Sequence, residues 1–294
     1  MANLDKHRQA GKILRQVKKY AKPLVKDGAK ALDIAESIEA KIVELGGKPA
    51  FPVDVSVNDM AAHYNPHVDD TLILKKGQIV KIDLGAHVDG YVVDSAFTIS
   101  IGKDAENEKL IKASDAALKI AISMAKPGTE IGKIGAAVEK TIQGFGFEPV
   151  RNLQGHGVGR WIVHCKPSIP SFDNGNTQKL KAGEIIAIEP FATTGSGHVK
   201  SGRGSEVYSL ASDGNVRQFR EVLEWIHSEY KTLPFAKRHV AKKFGKLKAS
   251  LALKLFVAKD IINEYSTLPE DTKGSKVSQS EHTIIVGVKP EVLT

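Results

Sequence analysis

The chain has 294 residues, 41% of them hydrophobic, and a single cysteine, so it can bury a large apolar core but cannot form a disulfide framework or a cysteine-rich zinc module. Its N-terminus carries charges where a signal peptide needs an apolar run, and no later segment approaches the roughly 20 apolar residues of a membrane span, so we expect a cytoplasmic protein without membrane contact. The net charge of +8 permits contact with a ribosome without requiring it, and we expect no specific DNA recognition.

In chain order, the first predicted elements are helices that recur about a hundred residues later. A helical pattern stops at an Ala-Lys-Pro sequence at 21–23 and again at 125–127, and proline ends helices. A second helix is predicted after each of these stops, at about 29–45 and about 130–143. Each second helix runs into a glycine-rich exit, so the same order of elements occurs twice.

The strands that follow also match between the two copies. The segments KKGQIVKID and KAGEIIAIE agree in register, and they end in Asp83 and Glu189 respectively. Upstream of the first strand an extended segment carries His63, and upstream of the second another carries His164. The chain therefore consists of two homologous α/β halves, and we predict an α+β fold with antiparallel strands lining a central cleft and helices packed outside.

The stretch IVKIDLGAHVDGYVVDSAF, at 79–97, is typical of two strands joined by an Asp-Gly turn. A two-residue turn pairs Val88 with Tyr91, and this register puts Asp83 and Asp94 on one face as diagonal neighbours, about 7–8 Å apart between Cα atoms. A carboxylate inside an apolar strand is costly unless a positive charge compensates it. The hairpin therefore predicts a cation beside these two residues.

The halves, about 1–103 and 104–294, differ late in the chain. The first half turns at once into its last strand, whereas the second half has a predicted helical insertion at about 213–270, which includes a predicted helix in SLALKLFVAKDIINEY. We expect this insertion to form a subdomain and residues 1–212 plus 271–294 to form the catalytic domain. The basic run KRHVAKKFGKLK within the insertion is more typical of a solvated helix face than of a binding site.

The second half supplies carboxylates that correspond to Asp83 and Asp94, namely Glu189 and Glu281. Four converging carboxylates need more positive charge than one Arg or Lys provides, and two divalent metal ions about 3.5–4 Å apart would balance them. His156, which lies among glycines, adds a nitrogen donor. A mixed nitrogen and oxygen ligand set suits Co, Mn, Fe or Zn better than Ca or Mg.

Several motifs together resemble those of the type II methionine aminopeptidases, in their short archaeal form, which belong to the pita-bread metallopeptidase family. The motifs are AAHYNP, KIDLGAHVDGYVVDSA, GHGVG, IEPF and SEHTIIV, and the resemblance covers nearly the whole chain. The chain departs from the family pattern at Ser280, where a bulky residue is expected, and at Asn65, where Thr is common. The insertion resembles the one that separates type II from type I enzymes.

The resemblance implies a pita-bread fold and a monomeric, metal-dependent enzyme that removes the N-terminal methionine from peptides and nascent proteins. It implies five metal ligands, with Asp94 and Glu281 bridging two ions, Asp83 binding metal, and His156 and Glu189 completing the shell of one ion. The metal ligands are then Asp83, Asp94, His156, Glu189 and Glu281.

The same resemblance implies that His63 and His164 contact the substrate without being permanent ligands. We expect Glu189 to accept the proton of the attacking water, His164 to donate to the developing oxyanion, and His63 to lie near the leaving side. Methionine selectivity needs an apolar pocket beside the metals, and we expect Phe191 to form one wall of this pocket.

Three alternatives stand against this interpretation. A cysteine hydrolase built on Cys165 and His164 is disfavoured because adjacent side chains of an extended segment point to opposite faces, so we expect Cys165 to be a small buried residue. A catalytically silent pita-bread protein could bind RNA, ribosomes or proteins through its basic surface, but it would be free to lose metal ligands. A prolidase or X-Pro aminopeptidase carries a large N-terminal domain, for which we expect no space before His63.

Overall fold

The computed structural model describes residues 4–212, 214 and 216–294. The first half begins with a long helix whose inward face repeats at helical spacing and packs on the central hairpin. This helix ends at Ala21, two residues before the proline, as predicted. The elements of this half are α1 (Leu4–Ala21), a 3-10 turn (Lys22–Leu24), α2 (Ala31–Glu44), β1 (Lys48–Pro49), β2 (Asp54–Val57), β3 (Met60–Ala62), β4 (Ile79–Val88) and β5 (Tyr91–Ser100).

The second half repeats this order with the same helix-stop chemistry. Its first helix ends at Met124, just before the second Ala-Lys-Pro, and its second helix covers the predicted segment. The elements are α3 (Ala105–Met124), α4 (Ile131–Gly144), β6 (Glu148–Pro149), β7 (Gln154–Gly159), β8 (Ile162–Pro170), β9 (Ile185–Ile188), β10 (Phe191–Thr193) and β11 (Gly204–Leu210).

The rest of the chain contains the insertion and the strands that close the second half. The predicted helix at 250–265 is wrong at its end, because α7 stops at Ala258 and the chain returns as a strand after Asp260, whose φ is 52°. The elements are α5 (Arg220–Tyr230), β12 (Phe235–Ala236), α6 (Lys237–Phe244), α7 (Lys246–Ala258), β13 (Ile262–Ser266), β14 (Leu268–Pro269), β15 (Val277–Gln279), β16 (His282–Ile285) and β17 (Glu291–Val292).

Two antiparallel sheets form the centre of the molecule. In the first sheet β4 pairs with β1, β2 and β5, and in the second the order is β17-β16-β9-β7-β8. The apolar side chains of α1 and α2 share one buried cluster with the first sheet, and those of α3 and α4 share another with the second. The predicted α+β architecture of two similar halves is therefore confirmed.

The insertion has its own apolar cluster and its own small sheet. The sheet order is β12-β11-β13, so it includes a strand that precedes the predicted insertion boundary. A buried ion pair connects the insertion to the first half, since Arg238 on α6 donates to both carboxylate oxygens of Glu39 on α2, at 2.8 and 2.5 Å. The second of these oxygens also accepts the backbone N–H of Val53, directly before β2. The division into a catalytic domain and an insertion subdomain stays a prediction.

The helices of the described residues are too short or too polar to cross a membrane. The basic run of the insertion is largely engaged in ion pairs. Lys237 contacts Glu206 and Lys246 contacts Asp69, which fits a helix surface rather than an open binding patch.

Candidate metal centre

The hairpin of β4 and β5 has the predicted register. Val88 lies opposite Tyr91, and this pairing makes Asp83 and Asp94 diagonal neighbours on one face. Both turn residues have positive φ, 51° at the aspartate and 85° at the glycine, as a type I′ turn requires. Local turn chemistry therefore determines which strand residues face the cleft.

The second half brings its two glutamates to the same place. Strands β9 and β16 are antiparallel neighbours with His282 opposite Ile188, so Glu189 directly follows one strand and Glu281 directly precedes the other. The hydroxyl of Thr283 accepts the backbone N–H of Asp94 at 2.7 Å and donates to the carbonyl oxygen of the same residue at 2.8 Å. This double hydrogen bond joins β5 to β16 and thereby joins the two halves at the carboxylates.

His156 enters the cluster from β7. Its Nε2 lies 3.5 Å from Glu189 Oε1 and 3.7 Å from Asp94 Oδ2. Its Nδ1 lies 3.2 Å from the carbonyl oxygen of Gly157, so an Nδ1–H donates there and leaves the Nε2 lone pair facing the carboxylates. Burial lowers the pKa of His156 to about 4, which keeps this ring neutral at physiological pH.

The five candidate ligands form two overlapping groups. Asp94, His156 and Glu281 make one group, and Asp83, Glu189 and Glu281 make the other, with the donor atoms of each within 4.8 Å of one another. Burial raises the pKa of Asp94 and of Glu281 well above the ordinary values, and repulsion from the neighbouring carboxylates adds to the rise. The arrangement is therefore electrostatically unfavourable without cations.

The hydrogen bonding within the cluster is incomplete in a way that fits divalent metal ions. Among the described residues, buried oxygens without a hydrogen-bond partner include Asp83 Oδ1, Asp94 Oδ1 and both carboxylate oxygens of Glu281. Buried acceptors are rarely left unpaired in native proteins unless an ion or water satisfies them. The oxygens and the His156 nitrogen together form a donor set suited to first-row divalent metals.

The two other histidines predicted from the sequence lie at the rim of the cluster. His63 has a φ of 63°, and its Nδ1 lies 3.2 Å from the carbonyl oxygen of Ser266 at the end of β13. The His164 ring is exposed to the cavity, with its centroid 4.3 Å from that of His156. Desolvation within the cavity, together with the nearby His156 and His63, lowers the pKa of His164 to about 3.

A cavity of about 520 Å³ opens beside the cluster. Its wall contains the predicted Phe191, and further apolar side chains come from both halves and from the insertion exit: Phe51, Val163, Tyr265 and Leu268.

Cys165 also lines this cavity and is half-buried, so its expected full burial is wrong. The pairing of β8 with β7 has an irregular register opposite Cys165, and both His164 and Cys165 line the cavity. Burial raises the pKa of the Cys165 thiol, which disfavours a thiolate nucleophile.

Two polar residues of the site were missed from the sequence. The side-chain amide of Gln279 donates to Asp83 Oδ2 at 2.9 Å and lies 3.4 Å from Glu189 Oε2, so it bridges carboxylates of both halves. Asp54 lies on β2 directly opposite Asp83 and lines the cavity. An aspartate within the apolar run FPVDVSV was the available signal for Asp54, whereas nothing local marked Gln279.

The two departures from the family pattern are accommodated locally. Ser280 donates to Asp115 Oδ1 at 2.6 Å and contacts the Ser114 hydroxyl at 2.9 Å, so polar contacts on α3 replace the bulky side chain. Asn65 donates to the carbonyl oxygen of Val53 at 2.9 Å and lies 3.5 Å from Asp54 Oδ1. Asn65 thus borders the cavity wall.

Comparison with known proteins is consistent with a metal-binding site at this cluster. Residues 5–223 match metallopeptidase family M24. The methionine aminopeptidase of Pyrococcus horikoshii is 43% identical over 287 residues, which cover 97% of this chain and 96% of that protein. Among solved structures, methionine aminopeptidase from Thermotoga maritima has a TM-score of 0.71 at 24% identity, with 99% of this chain and 95% of that chain covered. A thermophilic Arx1 has a TM-score of 0.84 at 18% identity, with 99% and 90% covered. These neighbours confirm the expected pita-bread fold.

Proposed function

The chain belongs to metallopeptidase family M24, and we propose that it is a methionine aminopeptidase that removes the N-terminal methionine from peptides and nascent proteins. The observation that carries the proposal is the convergence of four carboxylates, two of them fully buried, and one histidine beside a largely apolar cavity. Near-complete coverage of methionine aminopeptidase relatives supports the enzyme over a catalytically silent relative.

Family membership implies the use of divalent metal, and the cluster suits two ions of Co, Mn, Fe or Zn. Asp83, Asp94, His156, Glu189 and Glu281 would hold the ions. When bound, the ions supply Lewis-acid activation of a water molecule and of the scissile carbonyl.

Glu189 is the proposed proton carrier of the reaction. In the metal-free protein, burial and repulsion from Asp83 raise the pKa of this carboxyl group well above the ordinary value. It would accept the proton of the attacking water and return it to the leaving amine. The amide of Gln279, 3.4 Å from Glu189 Oε2, would hold the carboxylate in position.

The two rim histidines would act as neutral hydrogen-bonding groups. His63 donates from Nδ1 to Ser266, so its Nε2 is an acceptor that would take an N–H from the leaving side of the substrate. Burial lowers the pKa of His63 and so favours this neutral state. His164, also neutral, would donate an N–H to the oxyanion that develops at the scissile carbonyl.

The substrate side chain would occupy the apolar part of the cavity. Phe191, on β10, is 1% exposed and contributes a rigid wall beside Glu189. A flexible thioether fits an apolar cavity with an aromatic wall because sulfur makes favourable contacts with aromatic rings.

The proposal is tested by loading the protein with Mn, Fe, Co or Zn and measuring release of methionine from a Met-Ala-Ser peptide. Asp94→Asn and Glu281→Ala should abolish the release and reduce the number of bound metal ions, while circular dichroism stays unchanged. Asp271→Asn removes an exposed carboxylate as a matched control and should behave like the parent protein. Full activity in the Asp94 and Glu281 variants would refute the proposed site, and an inactive parent with every metal would refute the function.

A further inference from the structure

A carboxylate outside the proposed ligand set faces the cavity. Asp54 on β2 lies directly opposite Asp83 on β4, and directly opposed residues of antiparallel strands point to the same face. Its side chain is only 7% exposed and forms part of the cavity wall together with His63 and Asp83. The cavity face of β2 therefore presents a buried carboxyl group next to the metal cluster.

Asp54 does not belong to either ligand group. In the part of the chain that the structure describes, the donor atoms of the two groups come from the five predicted ligands, and Asp54 is in neither group. Cross-strand neighbours have Cβ atoms about 4.5–5.5 Å apart, so its carboxylate lies one side chain away from the cluster. This position suits contact with a molecule bound at the metals rather than with the metals themselves.

The carboxylate of Asp54 also lacks a matching cation. Its hydrogen bonds within the described chain come from neutral groups, the amide of Asn65 at 3.5 Å and the backbone N–H of His63. Arg238 is nearby, but its guanidinium is committed to both carboxylate oxygens of Glu39. A buried carboxylate with only neutral partners is costly, and a ligand with positive N–H donors would offset that cost.

We propose that Asp54 accepts hydrogen bonds from the α-amino group of the substrate and makes the cavity selective for a free N-terminus. The inference rests on the proposed aminopeptidase function, because such a substrate carries an α-amine beside the scissile bond. The α-amine has an ordinary pKa of about 8, so it is largely cationic at neutral pH, and it has N–H donors in either protonation state. An acylated N-terminus has neither the charge nor the same number of donors and is discriminated against.

The simpler role for Asp54 is structural, as an anchor for the segment that carries His63. Asp54→Asn separates the two roles because asparagine keeps an oxygen that accepts the His63 N–H but loses the negative charge. If the charge contacts the substrate amine, this variant should raise KM for Met-Ala-Ser about tenfold and change kcat less than twofold. A tenfold change corresponds to about 1.4 kcal/mol. Asp69→Asn, which removes an exposed carboxylate in the connection between β3 and β4, should leave both constants unchanged.

A binding experiment separates this inference from the proposed reaction. Calorimetry on the metal-loaded protein should show L-methionine bound about tenfold more weakly by Asp54→Asn than by the parent. The amine-free analogue 4-(methylthio)butanoate should bind equally to both, and the metal stoichiometry should be unchanged. Asp54→Glu, which retains the charge, should retain the preference for L-methionine over the analogue.

Three results would overturn the inference: equal L-methionine affinity in Asp54→Asn and the parent, equal weakening for both ligands, or fewer bound metal ions. If Asp54→Asn does not fold, loss of the L-methionine preference in Asp54→Glu would also count against it. An inactive parent that still prefers L-methionine through Asp54 would refute the aminopeptidase proposal while leaving the amine subsite in place.

Discussion

Replacing Asp83 by asparagine should stabilise the metal-free protein at alkaline pH. Burial, and then repulsion from Asp54, raise the pKa of Asp83 from 3.8 to about 7. The folded state therefore binds more protons than the unfolded chain, so stability falls as pH rises from about 4 to about 7, and the full loss persists above that range. At 1.36 kcal/mol per pKa unit the loss at pH 8 amounts to about 4 kcal/mol. Asparagine avoids this loss and still offers an oxygen to Gln279.

Divalent metal should reverse the order of stability. Two ions, each at a hundred times its dissociation constant, together stabilise the folded state by about 5.4 kcal/mol, which exceeds the loss of about 4 kcal/mol, and asparagine removes the charge on which this gain depends. Urea unfolding of Asp83→Asn and of the parent, with chelator and with Mn or Co at pH 8, measures both effects. The difference between the metal-free proteins should become small near pH 4. The reasoning is refuted if the metal-free variant is no more stable than the parent at pH 8, or if metal stabilises both equally.

Three further perturbations test the packing around the site. Arg238→Ala leaves Glu39 buried without its partner and should lower the free energy of unfolding in urea by about 3–5 kcal/mol. Replacing both residues by Met should lower it far less. Equal losses in the two variants would contradict the buried ion pair. Burial lowers the pKa of His87 from 6.5 to about 4, so the parent should lose about 3 kcal/mol as pH falls through this range, and His87→Gln should flatten the pH profile of stability. Gly90→Ala would put a Cβ 2.3 Å from the Trp161 ring at a φ of 85° and should cost about 1–3 kcal/mol, so an unchanged melting temperature would argue against this turn geometry.

The parts of the site that could be predicted depend on local chemistry and on repetition. The Asp-Gly turn fixes the hairpin register within a few residues, which made the relative positions of Asp83 and Asp94 predictable. The repeat then transferred this geometry to Glu189 and, through the equivalent last strand, to Glu281. These inferences need no knowledge of how distant elements pack.

The missed residues depend on pairings between distant segments. Gln279 reaches the site because β15 pairs with β10, which places it opposite Phe191. Asp54 reaches it because β2 pairs with β4. The end of α7 was missed for a similar reason, since the residues after Asp260 pair with β11 and this tertiary contact overrides their helical periodicity.

The positions of the two carboxylates in the first half depend on local structure, whereas those in the second half depend on distant parts of the chain. Asp83 and Asp94 are held by one hairpin, whereas Glu189 and Glu281 are separated by the whole insertion and meet only when β16 returns to β9. The exit of the insertion lies at the cavity, where the carbonyl oxygen of Ser266 orients the rim histidine. Local opening of the insertion would therefore disturb the second pair of carboxylates and the substrate cavity before it disturbed the hairpin. The predicted insertion is thus, in physical terms, part of what assembles the site.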